Sequence, residues 1–146
     1  MKSLLFLTCV FVCANALDKA LVDELGRKLQ ISGVECSESE NVPDDDMAGL
    51  MQGKMPSSHE GKCLLFCVGK KLNMMHPDGT FGEGYVEWLT KVKADDPDAY
   101  TKIRTLDTDC QHKIQIDADP CETASRYYTC GKEEAPKVGL SELYSK

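Results

Sequence analysis

Cysteine offers this chain more chemistry than any other residue type. Six of its eight cysteines fall in a spacing that organises the rest. Cys36, Cys63, Cys67, Cys110, Cys121 and Cys130 are separated by 26, 3, 42, 10 and 8 residues. An even set of thiols at such intervals points to a three-disulfide framework, which forms only in an oxidising compartment. The other two cysteines, Cys9 and Cys13, lie in a stretch that would supply the export. Lys2 gives a basic start, residues 4–12 an apolar run too short to span a bilayer, and Ala14-Asn15-Ala16 a small-x-small cleavage signal. Residues 1–16 therefore read as a signal peptide. Its removal takes both extra cysteines and leaves a secreted chain of 130 residues in which every thiol can pair internally.

Other chemistries find little support. A secreted calcium phospholipase would require a His-Asp pair, and none of the three histidines, His59, His76 and His112, is followed by Asp. No serine, histidine and aspartate arrangement suggests nucleophilic catalysis, so the chain is not expected to be an enzyme. Asp107-x-Asp109 begins like a calcium loop, yet His112 stands where glycine is needed and Ala118 where the bidentate glutamate belongs. The cysteines are better explained as disulfides than as zinc ligands. No metal or cofactor is expected.

Charge narrows the partners. After loss of Lys2 the chain carries 16 basic and 24 acidic side chains, a net of about −8, which opposes binding to nucleic acid or to anionic membranes. No second apolar run of membrane length follows, so no membrane insertion is expected. A chain of this length suits one domain, residues 17–146, with a tail from about residue 132.

The elements that must position the cysteines are helices. Leu17, Leu21, Leu25 and Leu29 recur every fourth residue and predict a first helix, with Gly33 as its stop and Cys36 just beyond. Pro43 opens a short second helix carrying Met47, Leu50 and Met51 and ending near Gly53, with Asp44-Asp45-Asp46 as its solvated start. Ser57 and Glu60 have capping-box spacing before a third helix that runs to about Met75. Thr80 and Glu83 repeat that box ahead of Phe81, Tyr85, Trp88, Leu89 and Val92, which share a face of a fourth. Asp96-Pro97 and Asp119-Pro120 open the fifth, to about Gln115, and the sixth, to about Gly131.

On these helices Cys63 and Cys67 project from one face, so each is better placed to hold a different neighbour than to pair with the other. Cys121 and Cys130, two and a half turns apart, face opposite ways and also need separate partners. Fifteen connectivities are thereby reduced without one being chosen.

One cysteine, a gap, cysteine-x3-cysteine, a long gap and two cysteines flanking eight residues resembles the six-cysteine insect odorant-binding proteins, the pheromone and general odorant-binding family. The resemblance spans residues 17–131 and includes the turn Pro77-Asp78-Gly79 before an amphipathic helix. It implies pairing of Cys36 with Cys67, Cys63 with Cys121 and Cys110 with Cys130. It further implies an all-α fold of about six helices around a central apolar cavity, binding small hydrophobic molecules such as odorants or pheromones. Chemosensory receptors are the implied destination. Some members of that family release ligand on acidification, which makes protonation of His76 or His112 the candidate trigger.

Amphipathic spacing, independently of the family, nominates the pocket lining: Met51, Met55, Phe81, Tyr85, Trp88, Leu89, Val92, Ile103, Ile114 and Tyr128. Leu140, Leu143 and Tyr144 are the tail's contributions. The same stripes would also serve as ordinary core. The competing function is a secreted salivary, venom, seminal or haemolymph protein on this scaffold, acting as a non-olfactory carrier or by protein interaction. Monomer and homodimer are both compatible with the apolar faces.

Overall fold

The computed structural model of the protein describes residues 17–84 and 86–140. Residues 1–16, read above as a signal peptide, Tyr85, Leu143 and Tyr144 lie outside the described residues. Among the described residues six helices follow one another: α1 (Lys19–Ser39), α2 (Asp44–Met51), α3 (His59–Lys71), α4 (Val86–Asp95), α5 (Pro97–Lys113) and α6 (Pro120–Glu134). A 3₁₀ turn, Ala135–Val138, closes the described chain. The fold is all-α, the described residues holding a single isolated bridge pair, Met75 with Phe81. α3 packs chiefly on α6 and α1, and α4 on α5.

Local capping chemistry places most helix starts. Asp96 accepts from the backbone N–H groups of Asp98 and Ala99, and Asp119 from that of Cys121, each with proline at the first helical position. At α3 the cap is Ser58 in place of the expected Ser57, and the structure departs further from the sequence signals at two places. α1 runs through Gly33 to Ser39, so Cys36 lies inside the helix and not beyond it. Spacing of four advances 400° per step on a helix of 3.6 residues per turn, so the leucine stripe drifts off the buried face. Leu29 is left 43% exposed, while Ser32 and Cys36 take the buried positions. The Cys36–Cys67 disulfide ties this last turn to α3 and offsets the roughly 1 kcal/mol that glycine costs inside a helix.

The second departure is at the predicted start of the fourth helix. Asp78 accepts from both the backbone N–H and the hydroxyl of Thr80, at 3.0 and 2.6 Å, and so holds Thr80 in a local turn. Residues 73–84 instead fold back on themselves: His76 N–H donates to Thr80 O, Gly82 N–H to Met74 O and Gly84 N–H to Asn73 O, at 2.8, 2.9 and 2.9 Å. A Cβ on Gly84 would lie 1.9 Å from that of Asn73, so this crossing requires glycine. The helix begins only at Val86, and Phe81 is part of the folded-back loop.

The disulfides join Cys36 to Cys67, Cys63 to Cys121 and Cys110 to Cys130, the pairs that the cysteine resemblance implies. They pin α1 to α3, α3 to α6 and α5 to α6. A fourth tie is polar. Asp46, buried on α2, accepts from the backbone N–H groups of Ser57 and Ser58 at 3.0 and 2.9 Å and from both their hydroxyls. Ser58 also caps α3, its Oγ accepting from Gly61 N–H at 2.9 Å. A Cβ on Gly61 would meet Pro56 and the Asp46 carboxylate at 2.4 and 2.6 Å, so glycine is what admits them.

The Ser58 hydroxyl, with the Ser57 and Ser58 N–H groups next, holds the Asp46 carboxyl down at a pKa of about 2, against the opposing effect of burial. A folded-state pKa below the unfolded one means stability present above about pH 4 and lost as pH falls toward 2. Asp46→Asn should lower the thermal midpoint by roughly 5 °C at neutral pH. It should also flatten the decline of stability between about pH 4 and 2. Thermal melts across that window, showing wild type and variant falling in parallel, would refute this role.

Candidate functional site

The apolar interior of the described residues is gathered into four clusters. Trp88, Leu89 and Val92 of α4 meet Ala99 and Ile103 of α5, with Leu17, Leu25, Tyr100 and Leu140 packed against them. Leu106 and Cys110 of α5 meet Cys130 of α6 and Ala135, joined by Ile114, Tyr127, Val138 and again Leu140. Leu140 thus touches both clusters, held by its backbone N–H donating to Ala135 O at 2.8 Å. A third cluster holds Cys63, Phe66, Met75, Cys121 and Ala124, with Leu65 and Phe81 against it. The Phe81 ring lies 4.9 Å from that of Tyr127, tilted by 45°, and so links this cluster to the second.

The structure brings together five nominated residues, Trp88, Leu89, Val92, Ile103 and Leu140. Ile114 adjoins them through Leu140, and Phe81 through Tyr127. Tyr128 is half-buried, and burial raises the pKa of its hydroxyl. Met55 is half-buried at the foot of the loop between α2 and α3. Met51 is a correction: it is 80% exposed and lines no apolar space. α2 turns Met47 and Leu50 toward the Cys36–Cys67 disulfide, and a helix of 8 residues has no second apolar face to bury.

Spacing missed Leu106 and Tyr127. Leu106, three residues after Ile103 and four before Cys110, carried the helical signal. Tyr127 is placed by a buried acid with no local signal. Asp107 accepts from Tyr127 OH and from Gln111 Nε2 at 2.9 Å on one oxygen, and from Arg104 Nη1 at 3.0 Å on the other. This network fixes the ring that Phe81 stacks on, and its donors satisfy a carboxylate that burial would otherwise penalise.

Among the described residues, depressions of about 320 and 370 Å³ open at the surface. The first lies between α5 and α6 beside Ile114 and Cys130, rimmed by Lys113, Arg126, Glu133 and Glu134. The second follows the outer face of α5 past Tyr100, Arg104 and Asp109. Of the nominated residues that are described, only Ile114 borders either, and the mixed charges of both rims suit them poorly to an apolar ligand. His76 and His112 are exposed. Among the described residues no helix is long and apolar enough to cross a membrane.

Comparison with known proteins agrees with this architecture. The PBP/GOBP family matches residues 18–134. General odorant-binding protein 28a of Drosophila melanogaster is 30% identical over 138 residues, covering 93% of this chain and 96% of the relative. General odorant-binding protein 19d of the same organism is 32% identical over 110 residues, covering 73% and 71%. The solved structure of odorant-binding protein 28a from that fly superposes with a TM-score of 0.66 at 29% identity, over 80% of this chain and 97% of its own. A match spanning nearly all the described helices, on an all-α scaffold with three disulfides in the expected pairing, means that the chain belongs to the PBP/GOBP family.

Proposed function

We propose that the protein is a secreted carrier of small hydrophobic molecules, odorants or pheromones, which it takes into an internal apolar pocket and conveys toward chemosensory receptors. The observation that carries this reading is family membership across residues 18–134. The ligand site lies where the α4/α5 cluster meets the α5/α6 cluster, the two joined by Leu140, two residues beyond the single-turn 3₁₀ segment. Displacing that one half-buried leucine opens the faces of Trp88, Ile103 and Ile114 to each other. Tyr85, Leu143 and Tyr144 are proposed as further wall residues. A ligand covering these faces gains about 25 cal/mol per Å² of apolar area before its ordering costs. Residues 1–16 direct the export and are then removed.

A specific observation favours a second reading, an interaction protein on the same scaffold. Val22, Leu29, Ile31 and Val34 of α1 are between 43% and 59% exposed. One experiment separates the two. Disulfide-bonded protein is loaded with an apolar fluorescent probe excited by energy transfer from Trp88, the single tryptophan. Aliphatic alcohols, aldehydes, esters and terpenoids are then added. The carrier reading expects saturable micromolar loading reversed by some of them. Its absence from protein shown to hold three disulfides would leave the interaction reading.

A further inference from the structure

Three side chains with metal-ligating atoms converge where the starts of α3 and α6 meet. His59 is the first residue of α3, Asp119 the N-cap of α6, and Glu122 lies in the first turn of α6. One ligand atom from each lies within 4.8 Å of the other two. His59 Nδ1 stands 3.4 Å from Asp119 Oδ2, and its other ring nitrogen, Nε2, faces Cys63 Sγ at 3.4 Å. The carboxylate is a much stronger acceptor than the sulfur of the Cys63–Cys121 disulfide, so in the neutral ring the hydrogen sits on Nδ1, facing Asp119 Oδ2. A metal ion at Nδ1 would take the place of that hydrogen, and the ring would then carry its hydrogen on Nε2.

The carboxylate is also aimed. Asp119 Oδ1 accepts from Cys121 N–H at 2.9 Å, and Asp119 N–H donates to Asp117 Oδ1 at 3.0 Å, which leaves Oδ2 pointing at the imidazole. Hydrogen bonds that orient a ligating side chain are the usual companions of a metal site. We propose that His59, Asp119 and Glu122 bind a divalent first-row transition ion of the zinc class, with water completing its coordination. Zinc sits about 2.0–2.2 Å from nitrogen and oxygen ligands, so its ligand atoms are roughly 3.3–3.6 Å apart, and the present spread must close by about 1 Å. The side chains have that freedom: His59, Asp119 and Glu122 are 61%, 37% and 33% exposed.

Two features oppose the ion and neither prevails. Lys62 Nζ holds Glu122 at 2.8 Å and must swing away, but a half-exposed lysine pair contributes little. Each helix N-terminus carries roughly half a positive charge, against two full negative charges on the carboxylates. The imidazole selects the class of metal, since nitrogen ligands suit zinc, copper and nickel, whereas calcium prefers oxygen alone. The overlapping set of His59, Cys63 and Cys121 does not compete, because disulfide sulfurs are not thiolates. A bound ion would clamp α3 to α6 beside the disulfide that already joins them.

The test is titration of untagged, disulfide-bonded protein with zinc chloride by calorimetry, checked by competition with a chromogenic chelator. One zinc per chain at micromolar affinity is expected. Affinity should fall roughly 10-fold or more in His59→Ala, Glu122→Gln and Asp119→Asn, the last keeping an oxygen to cap α6, while His76→Ala binds like wild type. In proton NMR the ring signals of His59 should move with zinc and those of His76 and His112 should not. Zinc bound equally well by His59→Ala, saturation only at millimolar zinc, or equal affinity for calcium would each overturn the proposal.

Discussion

Replacing Cys63 and Cys121 together by alanine is expected to destabilise the protein by about 4 kcal/mol, more than loss of either other disulfide. The pair closes a separation of 58 residues, against 31 for Cys36–Cys67 and 20 for Cys110–Cys130. On the chain-entropy account these closures contribute about 4.2, 3.7 and 3.3 kcal/mol, because each link removes freedom from the unfolded chain in proportion to the logarithm of its loop. Packing acts in the same direction for the longest loop. Cys63 and Cys121 lie buried with Phe66, Met75 and Ala124 at the contact of α3 with α6, so truncating the sulfurs also leaves a void. A loss near 4 kcal/mol approaches the total stability of many domains, and the variant should be partly unfolded at 37 °C. Urea unfolding of the three double-alanine variants measures the order directly. If Cys110/Cys130 proves the costliest pair, loop length is not what ranks the disulfides.

The disulfide framework was legible because cysteine spacing survives without knowledge of packing. So were the starts at Asp96-Pro97 and Asp119-Pro120, where the cap, the proline and the first turn are all local. Errors arose where a group outside a local signal took that signal over. Nothing near Gly33 announces that Cys36 will be held by Cys67 and the helix continued through it. Thr80 had the spacing of a cap, but Asp78, two residues away, bound its hydroxyl first.

Apolar faces showed a similar boundary. Periodicity grouped Trp88, Leu89 and Val92 correctly on one face, yet it says nothing of what that face meets. Met51 and Leu50 are adjacent in an apolar run, and only the position of the Cys36–Cys67 disulfide decides that Leu50 packs while Met51 is exposed. Tyr127 depends on Asp107, 20 residues earlier, and His59 on Asp119, 60 residues later. Neither contact exists until α6 has docked, so no local pattern could disclose it.

Trp88→Ala should be the most damaging single substitution of a nominated residue, costing about 3–5 kcal/mol. Its indole is 9% exposed, packs with Leu89, Val92, Ala99 and Ile103, and has Leu17, Leu25 and Leu140 against the same cluster. Nε1–H donates to Leu21 O at 3.2 Å, so one side chain fastens the first half of α1 to α4. Trp88→Phe keeps most of the apolar area and forfeits that hydrogen bond, worth about 1 kcal/mol, so it should remain folded with a modest loss. The two variants therefore separate packing from tethering. In amide exchange Trp88→Ala should expose residues 21–28 of α1 before α6, because α6 is held by two disulfides that the substitution leaves alone. Residues 32–39 should stay protected, anchored at Cys36. A loss below about 1 kcal/mol, or uniform exchange across all the helices, would mean that Trp88 fills space without organising it. The first half of α1 would then have to be held by its exposed ion pairs, such as Lys91 with Glu24, and pairs of that kind contribute too little to do so.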